Sequence, residues 1–231
     1  MATRFRLTWS GNSPPVIPAH QSYTHGNNSI ATRELKLQNK TVLTAFGISP
    51  DTPNHNVLGD TLLVSFVSTP LEVQNLSAQV FKCCISYSEL SANDNLFAQI
   101  GIWLFSNDGL TQIAELLPKT AHGVELNTGL ASRFFSLVTT GYNMVPADRG
   151  ARIVIEISVV GTPTGGKHNA TIRLGGSAAS DLPETDNNFS SLNPWAEFAN
   201  TLVLIPASSS GLSGNSGITG LTGGTDDWDV E

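Results

Sequence analysis

Short apolar or alternating stretches, bounded by clusters of Gly, Pro, Asn, Asp and Ser, follow one another along most of the chain. That rhythm constrains the fold more than any other feature, because strand side chains alternate between two faces while helix side chains recur about every 3.6 residues. Phe5–Trp9 alternates, Glu34–Gln38 places Leu35 and Leu37 on one face, and Thr61–Val67 is almost continuously apolar. Long strands are predicted over Leu76–Tyr87 and Phe97–Phe105. Further strands are predicted over Gln112–Leu117, Ala131–Val138, Ala151–Val160, Asn169–Leu174 and Glu197–Ile205. Asn107-Asp108-Gly109 is a hairpin signal, Pro146–Gly150 introduces one strand, and Gly161–Gly166 separates two in the manner of a hairpin loop. No amphipathic helix of three turns can be drawn. Leu110–Leu117 has a helix-compatible composition, but the turn before it and Pro118 after it favour a strand. The spacing reads as an all-β chain, an antiparallel sandwich or barrel.

Composition narrows the function classes. Charged residues are 13% of the 231, about half the ordinary share, which excludes a coiled coil, a charged helical bundle and a highly charged disordered chain. A chain of this length can bury one sizeable core without disulfide or metal support. Twelve Lys and Arg against nineteen Asp and Glu give a net charge of −7, a poor basis for neutralising nucleic-acid phosphates. No secretory leader and no membrane-length apolar run is visible, so the expected product is made in a cytoplasm, with no membrane and no nucleic acid among its partners. The expected organisation is an N-terminal strand and extended arm over 1–29, a sandwich over 30–206 and a Gly/Ser-rich acidic tail over 207–231.

The chemistry-bearing motifs are few. Cys83 and Cys84 are adjacent, so on a strand they face opposite ways, and the ordinary reading is two small strand residues with one in the core. Gly161–Lys167 nearly spells a phosphate-binding loop, but His168 follows where a metal-holding Ser or Thr belongs, and the next residues alternate as a strand rather than a helix. The five histidines sit beside turn residues without metal-ligand spacing. Glu156 is read as outward-facing, with Ile153, Ile155 and Ile157 inward, and Trp103 as core. Asp181, Glu184 and Asp186 lie within one short loop; oxygen ligands at this spacing suit a structural calcium ion, and the competing reading is a solvated loop. No other cofactor is implied. Trp195 follows Asn193-Pro194 at a loop end, where it either packs or contacts a glycan. Trp228 among Asp226, Asp227 and Asp229 could anchor the tail to a partner in assembly.

The order of motifs over residues 60–205 resembles a family of β-sandwich proteins among the virion structural proteins of tailed bacteriophages. The matching segments are Asp60–Leu71, Gln74–Val80, Ile100–Gly109, Asp148–Ile157, Asp181–Glu184 and Asn193–Phe198. The resemblance implies a jelly roll like that of carbohydrate-binding modules and a non-enzymatic role in a particle: head decoration, or a tail, baseplate or fibre subunit. It places the chain in the virion after synthesis in a host cytoplasm, and the expectation built on it is a homo-oligomer that joins other virion proteins through sheet edges, arm and tail. The acidic tail departs from the family pattern. A second reading is a carbohydrate-binding adhesin domain for a host surface glycan, with Trp195 as first contact. A third, a glycan-degrading enzyme, needs two carboxylates facing one another across a cleft, which the sequence does little to support.

Overall fold

The computed structural model describes residues 1–8, 14, 16–19, 21, 23–24, 32–37, 59–161, 170–175, 180–189 and 192–206. Among these the chain forms thirteen strands and one short 3-10 turn, Pro146–Asp148. The strands are β1 (Thr3–Arg6), β2 (Thr32–Glu34), β3 (Lys36–Leu37), β4 (Gly59–Val67), β5 (Asn75–Leu76), β6 (Val80–Glu89) and β7 (Leu96–Phe105). They continue as β8 (Gln112–Glu125), β9 (Ala131–Val138), β10 (Tyr142–Asn143), β11 (Arg152–Gly161), β12 (Ala170–Arg173) and β13 (Trp195–Phe198).

Two sheets hold most of them. One runs β9-β6-β13-β1-β3, with β12 continuing along the same edge of β6 as β13. The other runs β2-β4-β11-β7-β8 and is antiparallel except for the short parallel pair β2–β4. The pairings of the eight principal strands are nested. The first of them, β1, lies beside the last, β13; β4 lies beside β11; β6 beside β9; and β7 beside β8. A long antiparallel hairpin rolled up in this way is a jelly roll.

Alternation explains why the sheets face each other. Phe81, Cys83, Ile85 and Tyr87 of β6 point into one core with Ile100, Ile102 and Leu104 of β7 and Ile153, Ile155 and Ile157 of β11. Phe198 closes it edge-on to Phe5 and Phe81, at ring-centroid distances of 6.4 and 5.0 Å. Each such side chain removed from water is worth about 1.5–3 kcal/mol against the entropy of ordering the chain.

Several sequence expectations shift. Strand β8 does not stop at Pro118 but runs on to Glu125. It is an edge strand, and the exposed Pro118 falls where the β7–β8 register slips, so its missing N–H breaks no ladder bond. The predicted 76–87 strand is interrupted, and the C-terminal strand begins at Trp195 rather than Glu197. Gly161 ends β11 in one sheet and Ala170 begins β12 in the other, so these two strands do not pair as a hairpin; residues 162–169 lie outside the described residues. The Asn107-Asp108-Gly109 turn does join β7 to β8, with Gly109 at φ 76° and its N–H donated to Ser106 O at 2.9 Å.

Trp103 is buried, as read, but on the face of β7 away from the main core, with Val67, Phe105 and Val154. Its ring lies over Gly101, where an added Cβ would come within 2.0 Å of ring carbon Cη2. Alanine normally outperforms glycine in a strand interior. Here the sign reverses: Gly101→Ala is expected to lower stability in urea unfolding by about 1–3 kcal/mol. An unchanged or raised midpoint would show that Trp103 does not lie across this strand.

Candidate functional site: a roofed sheet face, a strapped edge and an acidic pocket

The outward face of the β4-β11-β7 sheet carries an apolar patch, Val67, Trp103, Phe105 and Val154, beside a polar row containing Gln99, Glu156 and Ser158. All seven are buried, because the N-terminal arm crosses this face. Val16 packs on the apolar patch, and Ala19 donates its N–H to Gly109 O at 3.2 Å. Glu156 points outward as read, yet it is 0% exposed. Its carboxylate accepts the Gln21 N–H at 3.2 Å and the Tyr23 hydroxyl at 2.9 Å. Burial first, and then the Glu156 charge, push the Tyr23 pKa up, so the phenol stays a donor. The arm is fixed further at Thr24, whose N–H meets Asp60 Oδ1 at 3.0 Å. Lys119 pairs with Asp60 and lies over the Tyr23 ring at 4.3 Å.

The acidic loop is a strap. Asp181 pairs with Arg4 at 3.1 Å and Arg6 at 3.3 Å on β1. Glu184 pairs with Lys82 on β6 at 2.7 Å, and Asp186 lies 3.4 Å from His122 on β8 while accepting the Phe134 N–H of β9 at 2.7 Å. The three carboxylates therefore engage separate partners on four strands. Among the described residues no three His, Cys, Asp or Glu side chains come together as metal ligands. The strap also covers half of the outer edge of β9: Ser132 exchanges backbone bonds with Asn187 and Asn188, each at 2.9 Å.

Trp195, the residue expected to pack or to meet a glycan, packs. It is 0% exposed, sits against Cys84 and Leu182, and donates its indole N–H to Leu182 O at 2.7 Å. The Arg4 guanidinium covers the ring at 4.0 Å. Burial acts to lower the Arg4 pKa, but hydrogen bonds to Glu197 and Asp181 outweigh it and the net shift is upward. Cys83 faces the main core and Cys84 the opposite side, and both are free. Burial pushes the Cys84 thiol up to about 12 and Cys83 well above its ordinary value, so neither is a thiolate near neutrality. Asp226, Asp227, Trp228 and Asp229 lie outside the described residues.

One open pocket of about 440 Å³ was not anticipated. Glu89, Glu125, Leu126, Asn127 and Gly129 line it, and Phe189, 67% exposed, forms its lip. Glu89 ends β6 and is only 4% exposed. It shares strand parity with Cys83, Ile85 and Tyr87, a signal that places it on the core side and that sequence reading could have used. Its Oε2 accepts the Leu96 N–H at 3.2 Å. Burial chiefly, with the charges of Glu125 and Asp94 adding, raises its pKa to about 7 against the hydrogen bond from Leu96 and the charge of Arg133.

No family model matches the chain, and no curated protein matches it. Among solved structures it is similar to the infectious bursal disease virus VP2 subviral particle at 15% identity and a TM-score of 0.31, over 68% of this chain and 39% of that one. It is also similar to the Gx strain of that virus at 12% and 0.31, over 67% and 36%. For the Gt strain the values are 12% and 0.25, over 76% and 46%. The chain spans less than half of each, and a likeness this slight carries no argument about family or function.

The Glu89 shift has a readable sign. The folded state holds a proton that the unfolded chain, with its ordinary carboxyl value of 4.5, releases. This contribution to stability is complete below pH 4.5 and is lost as pH rises toward 7. At about 1.4 kcal/mol per unit the loss reaches up to about 3 kcal/mol. Wild type minus Glu89→Gln, followed by urea titration across that range, is expected to show this fall; parallel curves would contradict it.

Proposed function

We propose that this chain is a non-enzymatic structural subunit of a virus particle. Within that class we propose a tailed-bacteriophage virion protein, serving as head decoration or as a tail, baseplate or fibre component. It joins copies of itself and neighbouring virion proteins through sheet edges, arm and tail. Jelly rolls serve as capsid and lectin domains, and a fold alone does not choose among functions. The observation that carries the reading is the open half of the β9 edge. The strap covers Ser132 and Phe134, whereas among the described residues no backbone bond reaches Ser136 from outside the β6–β9 ladder. Beside it Val80 and Val138 stand opposite one another in register, 40% and 67% exposed. An uncovered edge next to apolar side chains is a template for pairing with another chain.

The sequence resemblance supports the same reading, while burial of Trp195 removes the first contact residue of the glycan-adhesin alternative. The test is light scattering of the purified full chain at micromolar concentration, beside Val138→Lys. The expected result is a closed oligomer for wild type and dissociation in the variant. A monomer at every concentration, or an oligomer indifferent to Val138→Lys, would overturn assembly through this edge.

A further inference from the structure

Glu89 is a nearly buried carboxyl whose oxygen meets the backbone N–H of Leu96 rather than a Lys or Arg. Asp60, Glu72, Asp181, Glu184 and Glu197 each have a Lys or Arg partner, and Glu156 has its Tyr23 hydroxyl. Glu89 and Glu125 form no ion pair among the described residues. The buried cation nearby, Arg133, turns its guanidinium to the backbone oxygens of Ser132 and Glu125 and to Asn187 Oδ1. Glu89 and Glu125 both line the cavity, and an exposed aromatic ring, Phe189, lines it beside Gly129.

We propose that this pocket binds an organic cation, an ammonium or guanidinium group on an apolar stem, with the charged head between Glu89 and Glu125 and the stem against Phe189. Ionised carboxylates only accept hydrogen bonds, and their strongest donors are cationic N–H groups. An aromatic face beside them adds attraction for the same charge. A cation would also relieve the repulsion from Glu125 and Asp94, which adds to the burial that chiefly holds the Glu89 carboxyl partly protonated near neutrality. A neutral sugar would stack on Phe189 yet leave that repulsion in place. A bare divalent ion lacks a third carboxylate, histidine or cysteine ligand among the described residues. The proposal does not depend on the assembly role.

The test is a two-dimensional amide NMR titration of the full chain with agmatine, which carries a guanidinium and an ammonium on a butyl stem. Methyl glucoside at the same millimolar concentrations is the neutral probe. Saturable shifts of Glu89 and the 125–129 amides with agmatine alone are expected. Binding should weaken by at least about fivefold in Glu125→Gln and about threefold in Phe189→Ala. Both positions are solvent-accessible, and unchanged amide shifts elsewhere will show that the variants fold. Absence of saturable shifts, equal affinity in both variants, or equal shifts with methyl glucoside would each overturn the proposal.

Discussion

A strand buried on both faces needs two covers, and β11 depends on having them. On one side Ile153, Ile155 and Ile157 enter the core between the sheets; on the other, Val154, Glu156 and Ser158 are also out of contact with water. The second cover is the chain's own N-terminal arm. A carboxylate in that position would cost several kcal/mol without hydrogen-bond donors. Tyr23 and the Gln21 amide provide them, so the arm is specified by the charge it covers as well as by the apolar patch under Val16. The sandwich is thereby thickened on one face, and Gly101 and Trp103 fit that arrangement, since the ring lies flat on the strand beneath the arm.

The other sheet is held by charge at its margins. Arg4 on β1 reaches Glu197 on the neighbouring β13 and Asp181 on the strap, while its guanidinium covers Trp195. One exposed ion pair contributes little. Here ion pairs link β1 and β6 through a single loop, which also lies against His122 of β8 and supplies backbone bonds to β9. The same few residues thus join the two ends of the rolled hairpin and close part of an open edge. The remaining open part of that edge and the pocket lined by Phe189 are the surfaces proposed above for partners.

The fold was legible because alternation is local. Ala131–Val138 matches residue for residue, and Ile153, Ile155 and Ile157 point where the pattern put them. The jelly-roll nesting came from resemblance, since pairing between residues far apart leaves no local mark. Burial of Glu156 was illegible for the same reason: its direction follows from parity, but its cover comes from residues more than a hundred positions away. Asp181, Glu184 and Asp186 looked alike in sequence and diverge in space because each meets a different strand. Pro118 misled because a proline ends a central strand but not an edge strand at a register slip. Glu89 was within reach of parity alone.

The measurement that tests this account most directly is amide hydrogen exchange on the full chain in dilute solution, read at Ala19, Gln21 and Thr24. Their N–H groups are donated to Gly109, Glu156 and Asp60. Protection of about a hundredfold or more over an unstructured peptide is the expected result, since exchange then requires the arm to lift from the sheet. Exchange at the unprotected rate, with β11 amides still protected, would contradict the arm as the second cover of the sandwich.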